Sequence, residues 1–165
     1  MNQYLVAVID STRARFLTLE PAEIPGVEAG PNLVEHEAML SPTGDLQGQD
    51  LWSTTKTGSN RSAGAQTHAY DDHRARHEVE FERRFANSIA SHLNTLIQRF
   101  QTPHLILVAE PQILGLMREA IAATLPRNVK VSELAKDLCQ FKPHELHEYL
   151  ANKNLLPAKR PGSFV

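Results

Sequence analysis

The chain has 165 residues, a net charge of −2 and a single cysteine, Cys139. That length suits one domain able to bury a core without metals or disulfides, and a lone cysteine excludes an intrachain disulfide and fits a reducing compartment. A balance so near neutral excludes attraction of the whole molecule to nucleic acid, so any such contact needs a local basic patch.

The N-terminal run "QYLVAVID" (residues 3–10) is β-branched and almost continuously apolar, which predicts a strand buried on both faces. It is too short for a signal-peptide core, has no basic flank before it and no small-residue cleavage site after it. No apolar run approaches the roughly 20 residues of a membrane helix. The expectation is a cytoplasmic protein without membrane insertion. "STRA" reads as a turn, and "RFLTLE" (15–20) alternates as the second arm of a hairpin. "PAEIPGVEAGP" is a loop rich in Pro and Gly. "NLVEHEAML" (32–40) predicts a third strand, with a short helix left open by periodicity alone. Residues 41–70 show no periodicity and are rich in Gly, Ser, Thr, Asn and Gln, which predicts a long flexible loop. Trp52 lies inside it, as an anchor onto the body or as a contact for a protein partner.

Asp71 and Asp72 are placed to cap a helix running to about Phe100. Phe81, Phe85, Ile89, Leu93, Leu96 and Phe100 recur at helical spacing and form its core-facing stripe. The first two turns are charged all round and are expected to project beyond the body. "HLILVAE" (104–110) is a second buried strand, Pro111 opens a helix through Ile113, Leu114, Met117 and Ile121, and "NVKVSEL" (128–134) is another inner strand. "PHELHEYL" (143–150) is a last short helix. The predicted order is β-β-β-loop-α-β-α-β-α in one domain, 1–150, followed by a mobile tail, 151–165. This is an α/β fold: a mixed five-stranded sheet with flanking helices, RNase H-like in element order.

Candidate chemistry is sparse. Asp10 and Glu110 end the two buried strands. Converging carboxylates at such ends can hold paired metal ions for phosphodiester hydrolysis, with Asp71 or Asp137 as further members. The bland alternative is that Asp10 bonds its own turn and Glu110 merely precedes a helix. His73 and His77 lie one helical turn apart, with His68 or Asp72 as conceivable third ligands, but "HRARHEVEF" lacks the zincin order. Arg76–Glu80 and Glu80–Arg84 pairs make that stretch read equally as a solvated face. Cys139 has His144 near it in sequence, with nothing to place a base beside the thiol. No cofactor motif is present. Lys56, Arg61, Arg74, Arg76, Arg83 and Arg84 cluster in the loop and the projecting helix. Such a patch can follow a phosphate backbone, although Asp71, Asp72, Glu78, Glu80 and Glu82 interleave with it.

"VAVIDSTRARFLTLE", "HEVEFERRFANSIASHL", "LVAEPQILGLMREA" and "AKDLCQFKPHEL" together resemble the bacterial family of proteins required for attachment to host cells, over about residues 4–150. The resemblance implies kinship with the middle domain of archaeal and eukaryotic peptide release factors. In those, a Gly-Gly-Gln tip precedes a basic helix and its glutamine helps water attack the peptidyl ester. Here Gly64, Ala65 and Gln66 stand in a similar place, with alanine where a glycine is expected, which restricts the backbone. The resemblance thus implies a non-catalytic, cytoplasmic module that associates with RNA or the ribosome through Lys56, Arg61, Gly64, Gln66, Arg74, Arg76, Arg83 and Arg84. Its alternatives are a hydrolase, acting at Gln66 or through metals at Asp10 and Glu110, and a protein-interaction module or adhesin.

Overall fold

The computed structural model describes residues 3–41 and 64–162; for residues 64–81 it describes the backbone only. Among the described residues six strands form one mixed sheet. They are β1 (Tyr4–Ile9), β2 (Arg13–Glu20), β3 (Asn32–Glu35), β4 (Met39–Leu40), β5 (His104–Ala109) and β6 (Lys130–Ala135). The strand order is β3-β2-β1-β5-β6, with β4 also paired to β2. Strand β2 pairs antiparallel with both β1 and β3, while β1, β5 and β6 are mutually parallel. The arrangement is the mixed α/β domain expected, and its topology is compatible with an RNase H-like sheet.

The expected third strand divides in two. Leu17 pairs Glu35, whereas Ala14 pairs Met39. Arg15 and Phe16 therefore face three residues, His36, Glu37 and Ala38. One extra residue on that strand is a β-bulge, which interrupts pairing and bends the edge. The ladder is held across the bulge by the His36 N–H donating to the Phe16 carbonyl at 2.8 Å.

Among the described residues three helices cover the sheet: α1 (Gly64–Phe100), α2 (Pro111–Thr124) and α3 (Pro143–Asn152). Helix α1 begins at Gly64, so Asp71 and Asp72 lie about two turns inside it rather than at its cap. The reason is local: after Gly64 there is no proline or glycine until the helix ends, and Ala65, Gln66 and Ala69 are residues that helices accept readily. Gly64, Ala65 and Gln66 are the first turn of this helix, not the tip of a loop. At the other end Gln101 adopts a left-handed conformation (φ 51°) and the Thr102 N–H returns to the Ile97 carbonyl, which closes the helix before Pro103.

Strand alternation sorts the core into two layers. Leu5, Ala7 and Ile9 of β1, with Leu105, Leu107 and Ala109 of β5, face α1 and α2, where Phe85, Ile89, Leu93, Leu96, Leu114, Met117 and Ile121 pack. Val6, Val8, Ile106 and Val108 face the other way, onto Leu138, Cys139, Leu146 and Leu150 of the final loop and α3. Both central strands are thus buried on both faces, which is why they read as continuous apolar runs. Past α3 the chain, read from the sequence as a tail, folds back as a strap. Leu156 is buried, the His147 Nε2–H donates to the Pro157 carbonyl at 2.8 Å, and Gly30 and Arg160 exchange backbone hydrogen bonds of 3.0 and 2.9 Å.

Candidate functional site

The parallel register brings the ends of β1, β5 and β6 to one edge of the sheet, because Val8 pairs Val108 and Val108 pairs Leu134. Ligand sites in open α/β sheets form at that carboxyl edge. Asp10 stands there, in the β1–β2 turn. Its Oδ1 accepts from the Thr12 N–H (2.8 Å), the Thr12 hydroxyl (2.9 Å) and the Arg13 N–H (2.7 Å), so the side chain first serves its own turn.

The loop after β6 crosses back over β5 to reach Asp10, and two arginines draw it there. Arg13 donates to the Cys139 carbonyl, and Arg15 donates to the carbonyls of Cys139 (2.9 Å) and Phe141 (2.6 Å). Arg15 is buried, and its remaining donors form a fork onto Glu35 at 2.8 Å each. The crossing places Asp10, Asp137 and Cys139 with their ligand atoms all within 4.8 Å of one another. Asp137 Oδ1 accepts the Cys139 N–H at 3.2 Å.

The electrostatics of this cluster follow from those contacts. Burial opposes ionisation of Asp10, but the bonds from Thr12, from the Arg13 N–H and from the Cys139 thiol outweigh it and hold the carboxyl below its usual value. The same neighbours act on the thiol with the opposite sign. Burial, then the charge of Asp10 and its hydrogen bond, then Asp137, push Cys139 up to about 12. A thiol held protonated is neither a nucleophile nor a ready metal ligand. The three groups are close enough to surround a cation, yet each already has a protein partner, and together they make a satisfied hydrogen-bond cluster that locks a loop to a turn.

The structure therefore rearranges the sequence candidates. The carboxylate brought to Asp10 is Asp137; Glu110 is exposed at the N-terminus of α2 and belongs to no such cluster among the described residues. His144 lies exposed on α3, while the charged groups that act on the thiol are Asp10, Asp137 and Arg13. Gly64, Gln66, Arg74 and Arg76 are all on α1, as are His73 and His77, whose side chains fall outside the described residues. Lys56, Arg61 and Trp52 also lie outside them. Arg83 and Arg84 are exposed on α1. Arg13, Arg15 and Glu35 were not singled out from the sequence. The signal was present: alternation puts Arg15 on the same face of β2 as Leu17 and Leu19, and a charge in a buried register needs a partner.

Helix α1 reaches this edge too. Glu82 lines a small pocket with Asp10, Ser11 and Phe85 and accepts a 3.4 Å bond from Gln112, so it lies level with the strand ends. The helix starts at Gly64, and at about 1.5 Å per residue its earlier turns add roughly 27 Å of length before that level. Among the described residues no helix is long and apolar enough to cross a membrane.

A family model described as "protein required for attachment to host cells" matches residues 5–150, from β1 through most of α3. The chain belongs to this family. No curated protein matches it. In this member of the family the matched span includes the Asp10–Cys139 cluster and all of α1, and leaves out the strap that follows α3.

Proposed function

We propose that this host-attachment family protein is a non-catalytic cytoplasmic module that docks on structured RNA, with the ribosomal surface as its site. The observation that carries the reading is the length of α1: 37 residues, of which the segment before Glu82 precedes the level of the strand ends. That segment and the turn after it bear Arg74, Arg76, Arg83 and Arg84. A long helix with arginines spread along it can follow a phosphate backbone without strong net charge on the protein. The interleaved acids lower affinity and favour a defined surface over any polyanion. The resemblance to release-factor middle domains supports the same partner, although here Gly64, Ala65 and Gln66 form the first turn of the helix rather than a loop before it.

The chemistry at the strand ends favours binding over turnover. Asp10 is committed to its turn, the Cys139 thiol is held protonated, and Glu110 stands apart from both. On this reading the attachment phenotype of the family is indirect, through translation or its regulation.

The test is co-sedimentation of the full chain with ribosomes at low and high salt, beside a variant carrying Arg74→Glu, Arg76→Glu and Arg83→Glu. Salt-sensitive pelleting that the variant loses supports the reading. Wild-type protein that stays in the supernatant at low salt overturns it and directs attention to a protein partner at residues 41–70 or to adhesion. Pelleting with peptidyl-ester cleavage that Gln66→Ala abolishes would replace it with the hydrolase.

A further inference from the structure

At the opposite edge of the sheet from Asp10 lies a cleft of about 620 Å³. Its origin is the path of the strap. Arg160 pairs with Gly30, just before β3, through a single antiparallel bridge. The strap then leaves the strand and reaches across to α3, where the Pro157 carbonyl takes the His147 Nε2–H. Strand and strap diverge, and the wedge between them is the cleft. Asn32 and Leu33 of β3 form one wall, His144, Glu148 and Ala151 of α3 a second, and Ala158 and Lys159 of the strap the third.

The lining is apolar at Leu33, Pro143, Ala151 and Ala158, polar at Asn32, His144, His147 and Asn152, and carries two opposite charges. Glu148 stands on α3 and Lys159 on the strap. Neither forms an ion pair or hydrogen bond with the other or with any other described residue. A cleft that separates a free carboxylate from a free ammonium, with apolar surface around them, complements a ligand with the same two charges reversed. Its volume falls within the roughly 300–1,000 Å³ of small-molecule sites. Asn32, Leu33, His144 and Glu148 lie within the family-matched span, and Ala151, Ala158 and Lys159 lie beyond it.

We propose that this cleft binds a small zwitterion, a free amino acid or dipeptide with apolar side chains. Glu148 takes the ligand ammonium, Lys159 its carboxylate, and Leu33, Ala151 and Ala158 its side chains. The site is separate from α1, and the proposal stands or falls apart from RNA binding.

The probe is L-leucyl-L-leucine, titrated into the full chain and followed by amide NMR shifts and calorimetry. The expected result is saturable binding in the millimolar range or tighter, with shifts at Asn32, Leu33, Ala151 and Ala158. The N-acetyl and the C-terminal amide derivatives should each bind about tenfold or more weakly, since each leaves one charge unanswered. Glu148→Gln should erase the penalty of the acetyl group alone, and Lys159→Met that of the amide alone. Both side chains are exposed, so the variants keep the fold, which circular dichroism confirms. Ala151→Phe, which fills the wedge, should abolish binding while ribosome sedimentation is unchanged. No saturation at about 10 mM, or equal affinity for the capped and free dipeptides, overturns the proposal.

Discussion

Arg15 and Glu35 meet across β2 and β3 through a two-pronged contact, Nε to Oε2 and a terminal nitrogen to Oε1, both at 2.8 Å. The arginine side chain is 8% exposed and the glutamate 32%. The guanidinium is thus the group that suffers if the pair is broken. Its hydrogen bonds to Glu35 hold the arginine's pKa above its usual value, and hold that carboxyl below its own. Glu35→Ala strands a buried cation and should cost about 1–3 kcal/mol in urea unfolding, at the low end because the glutamate is partly solvated. Arg15→Lys should cost at least as much, because an ammonium cannot reproduce the fork to Glu35 and the bonds to two carbonyls. Arg15→Met combined with Glu35→Leu should recover part of the loss; a double variant worse than either single one would contradict this account.

The Cys139 thiol makes a prediction on the alkaline side. Its folded pKa is raised to about 12 from an ordinary value of 9.0. A raised value means that the folded state keeps its proton longer than the unfolded chain. The associated stability is complete below pH 9 and is lost as pH climbs toward 12, with a limiting slope of about 1.4 kcal/mol per pH unit. Wild type should therefore lose stability faster than Cys139→Ala across that window, although the variant starts lower through its lost packing. Disulfide-exchange reagents should label native Cys139 slowly and the urea-unfolded chain fast. Fast labelling of the native protein at pH 8 would show that the thiol is neither buried nor protonated.

Asp10 acts on the acid side. Its folded pKa is lowered, so its contribution is present above the ordinary aspartate value and disappears as pH falls through the depressed one. Asp10→Ala removes the acceptor of three turn bonds and should cost about 1–3 kcal/mol, measured near pH 7. Asp10→Asn keeps an oxygen for the Thr12 and Arg13 N–H groups and should cost less. It should also lower the alkaline threshold of Cys139, because the adjacent negative charge is gone.

Much of this fold was legible because its cause is periodic. The two central strands are apolar at every position since both faces are covered, and the stripe Phe85, Ile89, Leu93 and Leu96 lands on the core as its spacing requires. The misreadings have local causes. The bulge at His36–Ala38 depends on the pairing of two strands, which no single strand's pattern reveals. The start of α1 was masked by composition: polar, glycine-containing sequence resembles a loop until the absence of a breaker after Gly64 is weighed. The site was legible only in part. That Asp10 serves its own turn follows from three consecutive residues. That Asp137 and Cys139 come to it depends on a loop drawn across β5 by Arg13 and Arg15, a contact between residues more than 120 apart.

The strap gives the last prediction. Gly162 packs so tightly on the loop before β3 that a Cβ there would press into the Val27 carbonyl oxygen. Gly162→Ala must therefore displace the strap or the loop, and both are peripheral to the two core layers. The consequence should be local opening: amide exchange at Gly30 and Arg160, whose N–H groups bond each other's carbonyls, should rise toward the intrinsic rate while β1 and β5 keep their protection. Leu156→Ala acts on the same segment from inside the core, where the leucine is 5% exposed, and should cost about 2–4 kcal/mol of global stability. If the strap is latched as its contacts imply, the glycine variant separates it from the body at little global cost, and the leucine variant cannot. Equal protection of Arg160 in wild type and Gly162→Ala would mean that the loop yields instead, and the exchange increase should then appear at Val27 and Glu28.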